Sequence, residues 1–295
     1  MKKIAFAGLG SMGLPMAKNL VSKGFNVQGC DTNPKALESF CAAGGTAATT
    51  AAEAATGADI LLLMVVNAAQ AEAVLFGAGA LDALPANAIV CLMATCPPGS
   101  VEKIAERVEA AGKRFVDAPV SGGTAGATAG SLTIMAATAK PVFDEIKPVF
   151  DGMGQRIFHV GDKAGQGATF KAVNQLLCGV HIAVVAEAFA LAAKVGVNLD
   201  ILLEIMGGSA ASSWMLKDRG PRMLQADPEV SSAVDIFVKD LGIVLDTGRE
   251  KKAALPIAAV AHQMFLAASG RGEGLADDSQ VIRSYYAVNG TPQPA

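Results

Sequence analysis

Hydrophobic positions follow two different rhythms along this chain. Up to residue 161 they form short runs closed by Gly, Asp or other polar residues, and these runs predict strands over 3–7, 25–30, 59–66, 88–94, 114–120, 132–137 and 156–160. Between them, helical spacing is clearest over 12–23, 100–111 and 140–150. Strand–helix alternation of this kind predicts an α/β, doubly wound and largely parallel sheet. After residue 165 strand signals nearly vanish and helical patterns take over. The expected division is therefore a first domain over 1–162 and an all-α second domain over 163–295.

The second rhythm opens with residues 165–194, which contain no proline and read as one helix. A helix of about 30 residues spans roughly 45 Å. It is apolar almost all round, so neither side is suited to water. Its polar residues are grouped: Lys171, Asn174, Gln175, Cys178 and His181 share an arc of roughly 120°, while Glu187 and Lys194 point the other way. Two readings compete, an active-site helix and a core helix whose lysine reaches out to solvent along its stem. A membrane span is not expected, because Asn174, Gln175 and His181 interrupt the apolar run.

The first strand runs straight into Gly8-Leu9-Gly10-Ser11-Met12-Gly13, a helix follows, and the second strand ends at Asp31. This order is the signature of a dinucleotide-binding unit. Gly8 makes the tight turn, Gly10 lets the backbone approach a pyrophosphate, and Gly13 lets helix and sheet pack closely. The pyrophosphate would sit on the free N–H groups of the helix start. Asp31 can accept from ribose hydroxyls, and no arginine directly follows it to hold a 2′-phosphate, so NAD is the expected cofactor, with Lys35 the one residue against it.

In such sheets ligands bind beyond the carboxyl ends of the strands. That rule draws in Val65, Val66 and Asn67, then Thr95, then Ser121, Gly122 and Gly123. A serine hydroxyl beside two glycine N–H groups can hold a carboxylate without a charged side chain, although two glycines can equally well just turn the chain. His159 and His262 lack a second ligand at metal spacing, so no metal site is expected. Lys239 follows Asp235 by four residues on a helical pattern, which by itself is an exposed ion pair of little worth.

Composition narrows the class further. The 295 residues are 52% hydrophobic and 17% charged with a net charge of -3, which offers no basic field to nucleic acid or anionic lipid. Five cysteines without a C-x-x-C pair fit reduced thiols and a cytoplasmic setting. The apolar start is cut by Gly8 and Gly10 too early for a signal peptide. The tail over 289–295 is expected to fray, and the Asn289-Gly-Thr sequon means little in the cytoplasm.

Four blocks in order, Gly8-Leu-Gly-Ser-Met-Gly13, Asp117-Ala-Pro-Val-Ser-Gly-Gly123, Gly165-x-Gly167-x-x-x-Lys171 and Phe237-Val-Lys239-Asp240-Leu241, make the chain similar to the β-hydroxyacid dehydrogenases. That family includes 3-hydroxyisobutyrate dehydrogenase and tartronate semialdehyde reductase. The stretches around Asn174 to His181, Ser213-Trp-Met with Arg219 and Pro221, Ser232 to Gly242, and Ala261-His-Gln-Met-Phe265 resemble its L-threonate branch.

The resemblance implies a Rossmann-type first domain and an NAD-dependent enzyme acting on a small hydroxyacid. It makes Lys171 the catalytic lysine and Asn174 the carboxamide that orients substrate. Some relatives place that asparagine one residue on, where this chain has Gln175. Ser121, Gly122 and Gly123 become the carboxylate loop, Thr95 a contact of the nicotinamide end, and Lys239 a cofactor contact from the second domain. Burial, the positive nicotinamide ring and, least, the helix dipole would help Lys171 accept a hydroxyl proton. Ser212, Ser213, Arg219 and Arg222 would add polar groups to a pocket for a polyhydroxy acid. Imine reduction and a catalytically silent NAD-binding module are the competing readings, and both fit poorly with Lys171 and Ser121 present. The apolar long helix suggests a homodimer or homotetramer.

Overall fold

The computed structural model describes residues 2–291, in two compact units, Met1–Lys171 and Ala172–Ala295. In the first unit the chain runs β1 (Lys3–Ala7), α1 (Gly13–Ser22), β2 (Asn26–Cys30), α2 (Pro34–Cys41), β3 (Thr46–Ala47), α3 (Ala51–Ala55), β4 (Ile60–Leu63), α4 (Ala68–Glu72), α5 (Ala80–Ala83), β5 (Ile89–Leu92) and α6 (Pro98–Ala110). It continues through β6 (Arg114–Asp117), β7 (Val120–Ser121), α7 (Gly123–Ala129), β8 (Leu132–Ala137), α8 (Lys140–Phe150) and β9 (Gly154–Gly161) to α9 (Gln166–Lys194).

These strands form one sheet in the order β3-β2-β1-β4-β5-β6-β8-β7, with β9 on β8. Its first six strands are parallel and follow the doubly wound order, which reverses direction between β1 and β4. β8 then runs antiparallel to β6 and β7, and parallel to β9. Two-residue alternation divides the apolar strands between two cores. Ile4, Phe6, Ile60, Leu62, Ile89 and Cys91 face one layer of helices. Ala5, Ala7, Leu61, Leu63, Val90 and Leu92 face the other. Both faces are covered, so the strands read as nearly continuous apolar runs.

The run over 114–120, expected as one strand, is two short ones interrupted at Ala118 and Pro119. Proline carries no N–H for the ladder, so the break falls there. The sequence pattern sets the domain division at residues 162 and 163, whereas the compact units meet between Lys171 and Ala172. The first turn of α9 explains the offset: Ala168 belongs to the apolar cluster beneath the sheet.

The second unit holds the rest of α9 with α10 (Leu199–Gly208), α11 (Trp214–Met223), α12 (Val234–Lys251), α13 (Pro256–Ala268) and α14 (Ile282–Asn289). Asn198 and Ser213 cap α10 and α11 through their side-chain oxygens. Ile182, Phe189, Phe237, Leu241, Phe265 and Tyr286 build its core, with Phe237 stacked on Phe265 at 5.2 Å. By length and composition α9 is apolar enough to cross a membrane. Here Ile182, Val185, Ala186 and Phe189 of that helix are core residues of a helical bundle. Of the tail expected to fray, Asn289 ends α14 and residues 292–295 lie outside the described residues.

Candidate active site

The turn after β1 sits where the strand order reverses. Gly8 has φ of +95°, and a Cβ there would stand 2.3 Å from the Met64 carbonyl oxygen at the end of β4. A Cβ on Gly13 would meet the Gly8 carbonyl oxygen at 1.9 Å, so the first turn of α1 can close on the strand only with glycine. Gly10 differs: nothing lies within 4 Å of its would-be Cβ. That open backbone, beside a helix N-terminus, fits the close approach of a pyrophosphate. Leu9 is buried and donates its N–H to Asp31 Oδ2 at 2.6 Å. Asn33 donates its N–H to Asp31 Oδ1 at 2.7 Å. The carboxylate is thereby aimed by both loops, and each oxygen keeps a further lone pair for a ribose hydroxyl. Ser11 is exposed and Met12 packs against the core as α1 begins.

After β4, Asn67 caps α4 by accepting from the Gln70 N–H at 2.9 Å, so its carboxamide serves the helix first. Val66 is half exposed and donates its N–H to Gln70 Oε1. Val65 packs at the edge of the second core. Thr95 follows β5 and is partly buried. Ser121 ends β7, opposite Thr133. Gly122 and Gly123 both take positive φ, so the chain turns at once into α7.

Lys171 lies on the second turn of α9 and is 7% exposed. The start of that helix is tied to the sheet by Asp117, the last residue of β6. Its Oδ2 accepts from the N–H groups of Gly165 and Ala168, each at 2.9 Å. Burial pushes the Asp117 carboxyl up to about 7, against the pull of the backbone N–H groups of Ala168, Gly165 and Gly167.

In the second unit Asn174 and Gln175 begin a polar chain. Asn174 Nδ2 donates to Gln175 Oε1 at 2.8 Å and to Cys178 Sγ at 3.3 Å. Gln175 Nε2 donates to Asp240 Oδ2, and Lys239 Nζ lies 2.9 Å from Asp240 Oδ1. Lys239 thus has a buried partner that its spacing from Asp235 did not reveal. Gln175, itself 7% exposed, is committed to Asp240 and serves to hold Asn174. Cys178 and His181 are partly buried further along α9.

The polar residues expected from the α11 region do structural work. Arg219 is buried and forks onto Asp278 at 2.9 and 2.8 Å. Arg222 Nη1 pairs with Asp277 at 2.8 Å, and the Ser213 hydroxyl caps α11. Asp117 and Asp240 stand in two of the family blocks, but neither of them is assigned a role from the sequence. The signal for each was an acid inside an apolar stretch, next to Ala118 and beside Leu241.

A doubly wound sheet with a glycine turn at its reversal point, joined to a helical unit through a helix carrying a buried lysine, defines a two-domain NAD(P)-binding dehydrogenase. Residues 3–161 match the family model for the NAD-binding domain of 6-phosphogluconate dehydrogenase, and residues 165–285 that for the NAD-binding domain of NADP-dependent 3-hydroxyisobutyrate dehydrogenase. The chain belongs to the 3-hydroxyisobutyrate dehydrogenase family of β-hydroxyacid dehydrogenases. It is 44% identical to an L-threonate dehydrogenase of Cupriavidus necator over 97% of each chain. It is 41% identical to an L-threonate dehydrogenase of Haemophilus influenzae, over 97% of this chain and 96% of that one. A crystal structure of 3-hydroxyisobutyrate dehydrogenase from Salmonella typhimurium superposes with a TM-score of 0.92 at 39% identity, covering 96% of this chain and 99% of that one.

Proposed function

We propose that the protein oxidises L-threonate at the carbon next to its carboxylate, with NAD as hydride acceptor and Lys171 as general base. The observation that carries this reading is Lys171 itself: a nearly buried amine on a helix anchored to the carboxyl end of the sheet, in a chain related over almost its whole length to L-threonate dehydrogenases. When bound, NAD supplies the electrophilic ring that takes the hydride. A neutral Lys171 amine takes the hydroxyl proton at Nζ, and in the reverse direction the ammonium returns it. Asn174, three residues on along α9, offers its carboxamide to the substrate hydroxyl. The Ser121 hydroxyl and the N–H groups of Gly122 and Gly123 take the substrate carboxylate. Gly8 to Gly13 hold the pyrophosphate, Asp31 the ribose, and Val65, Val66, Asn67 and Thr95 line the path to the nicotinamide.

Support for a polyhydroxy substrate comes from the relatives and from Asn174 and His181 on one face of α9. Arg219, Arg222 and Ser213 add nothing to it, because their polar atoms are used internally. The second reading, 3-hydroxyisobutyrate, is favoured by the name of the Salmonella structure. We further propose a cytoplasmic enzyme without nucleic-acid or membrane partners that works as a homodimer or homotetramer. The net charge of -3 and an exposed apolar stripe on α9 support this.

Values of kcat/KM for L-threonate, D-threonate, D-glycerate and 3-hydroxyisobutyrate, each with NAD and NADP, test the assignment. L-threonate is expected to exceed 3-hydroxyisobutyrate by about 10²-fold or more. NAD is expected to exceed NADP by about tenfold or more, since Asp31 repels a 2′-phosphate. A clear win for the methyl-bearing acid reverses the substrate assignment, and equal rates with the two cofactors remove the role of Asp31.

A further inference from the structure

Asp117 is a buried acid that the proposed chemistry does not use. It is 1% exposed and stands where the sheet changes from parallel to antiparallel, paired with Leu92 of β5 on one side and Ala137 of β8 on the other. Its Oδ2 accepts two backbone N–H groups, from Gly165 just before α9 and from Ala168 in its first turn. The first four N–H groups of a helix have no acceptor within the helix, and the helix dipole favours a carboxylate there. Asp117 therefore caps α9 from across the fold, 48 and 51 residues away in sequence.

The backbone between the two capped groups is pressed onto the same strand end. A Cβ on Gly167 would stand 2.7 Å from the Asp117 carbonyl oxygen and 2.7 Å from that of Met135. Both oxygens belong to strand backbone, of β6 and β8. Lys171 lies three residues beyond Ala168, one turn along and on the same helix face. The height and azimuth at which the Lys171 side chain leaves α9 are thus set where the helix meets β6.

We propose that Asp117 is a positioning residue for the dehydrogenase reaction: it clamps the first turn of α9 to the end of β6 and so fixes where Lys171 meets the reacting hydroxyl. This rests on the reading of Lys171 as the acid/base. A displacement of about 1 Å at a reacting group can cost on the order of 10²-fold in rate, so a modest slip of the helix start is enough to matter.

The test uses the full-length enzyme with Asp117→Leu, Asp117→Asn, Gly167→Ala and Lys171→Ala. Each is assayed with NAD and whichever hydroxyacid of the panel the unaltered enzyme oxidises fastest, with NAD affinity titrated separately. Asp117→Leu keeps the branch at Cγ in a somewhat larger side chain and removes the acceptor, and Gly167→Ala forces the same joint apart from the helix side. Both are expected to lower kcat by about tenfold or more while NAD affinity stays within about threefold. Asp117→Asn retains a carbonyl acceptor for the two N–H groups and should recover kcat to within about threefold of the unaltered enzyme. If Asp117→Leu fails to fold, the contrast between Asp117→Asn and Gly167→Ala decides. Lys171→Ala inactive beside fully active Gly167→Ala and Asp117→Leu overturns the clamp and leaves the acid/base reading standing. Near-normal turnover by Lys171→Ala overturns the acid/base reading and the clamp with it. Parallel losses of kcat and NAD affinity in Asp117→Leu and Gly167→Ala would reduce Asp117 to general support of the fold.

Discussion

A carboxyl group sealed at the end of a sheet strand is pulled in two directions, and Asp117 shows the outcome. Burial raises its pKa to about 7, and the N–H groups of Ala168, Gly165 and Gly167 oppose that rise. The neighbouring Cys91 thiol on β5 is raised by burial and by the Asp117 charge. In the unfolded chain Asp117 titrates near 3.8, so between about pH 4 and pH 7 the folded state holds a proton that the unfolded state has lost. Its contribution to stability is fully present below the unfolded pKa and is lost as pH rises through about 7. Urea midpoints measured from pH 5 to pH 8 should therefore fall for the unaltered enzyme. Asp117→Asn, which cannot titrate, should fall less over the same range. Parallel curves would mean that the carboxyl is ionised throughout. Lys171 and Asn174 could be singled out in the sequence because their i, i+3 spacing puts them on one face of an otherwise apolar helix. Asp117 could not, because its partners are 48 and 51 residues away and nothing local marks an acid after Phe-Val as a helix cap.

The strand–turn–helix element from β1 to α1 carries its instructions within eleven residues, which is why it reads so plainly. Gly8 and Gly13 are needed by the fold, since each approaches a backbone oxygen closer than any Cβ allows. Gly10 is surrounded by open space, so the fold itself would accept a side chain there. The two kinds of glycine should separate on substitution. Gly13→Ala is expected to lower stability by about 1–3 kcal/mol through overpacking, and to weaken NAD binding as the turn shifts. Gly10→Ala should melt like the unaltered enzyme yet bind NAD at least about tenfold more weakly, roughly 1.4 kcal/mol, because the methyl group stands in the path of the pyrophosphate. Thermal melts beside NAD titrations check both, and a Gly10→Ala enzyme with normal NAD affinity would move the pyrophosphate off this turn. Other elements were less legible. β3 is only two residues long, and β7, which pairs antiparallel with β8, begins at the end of the apolar run that Pro119 divides. Gly122 with Gly123 reads equally as a turn or a carboxylate loop until the strand end beside it is known.

At the scale of the molecule the question is what the long helix does with its apolar surface. The division into a sheet unit and a helical unit follows from the change of hydrophobic rhythm after residue 161, and both units are built that way. The all-round apolar character of α9 has two different causes that sequence alone merges. Ile182, Val185, Ala186 and Phe189 fill the core of the second unit. Val173, Leu177, Val184 and Leu191 are 58%, 50%, 52% and 62% exposed, and at about 100° per residue they fall within an arc of roughly 40°. Single exposed apolar residues are ordinary, but an aligned stripe along a helix is the surface that another helix covers. A second copy of this chain presents the same stripe, and two apolar stripes of like shape suit an isologous contact without any charge to pair. Light scattering on the purified enzyme should therefore give a dimer or tetramer. Val184→Glu and Leu191→Glu together put two carboxylates into that contact at no cost to the protein's own core. They should shift the enzyme toward monomer while its far-UV circular dichroism stays unchanged. A monodisperse monomer for the unaltered chain at micromolar concentration would show that the stripe meets water or some other partner, and would end the proposal of a self-assembled enzyme.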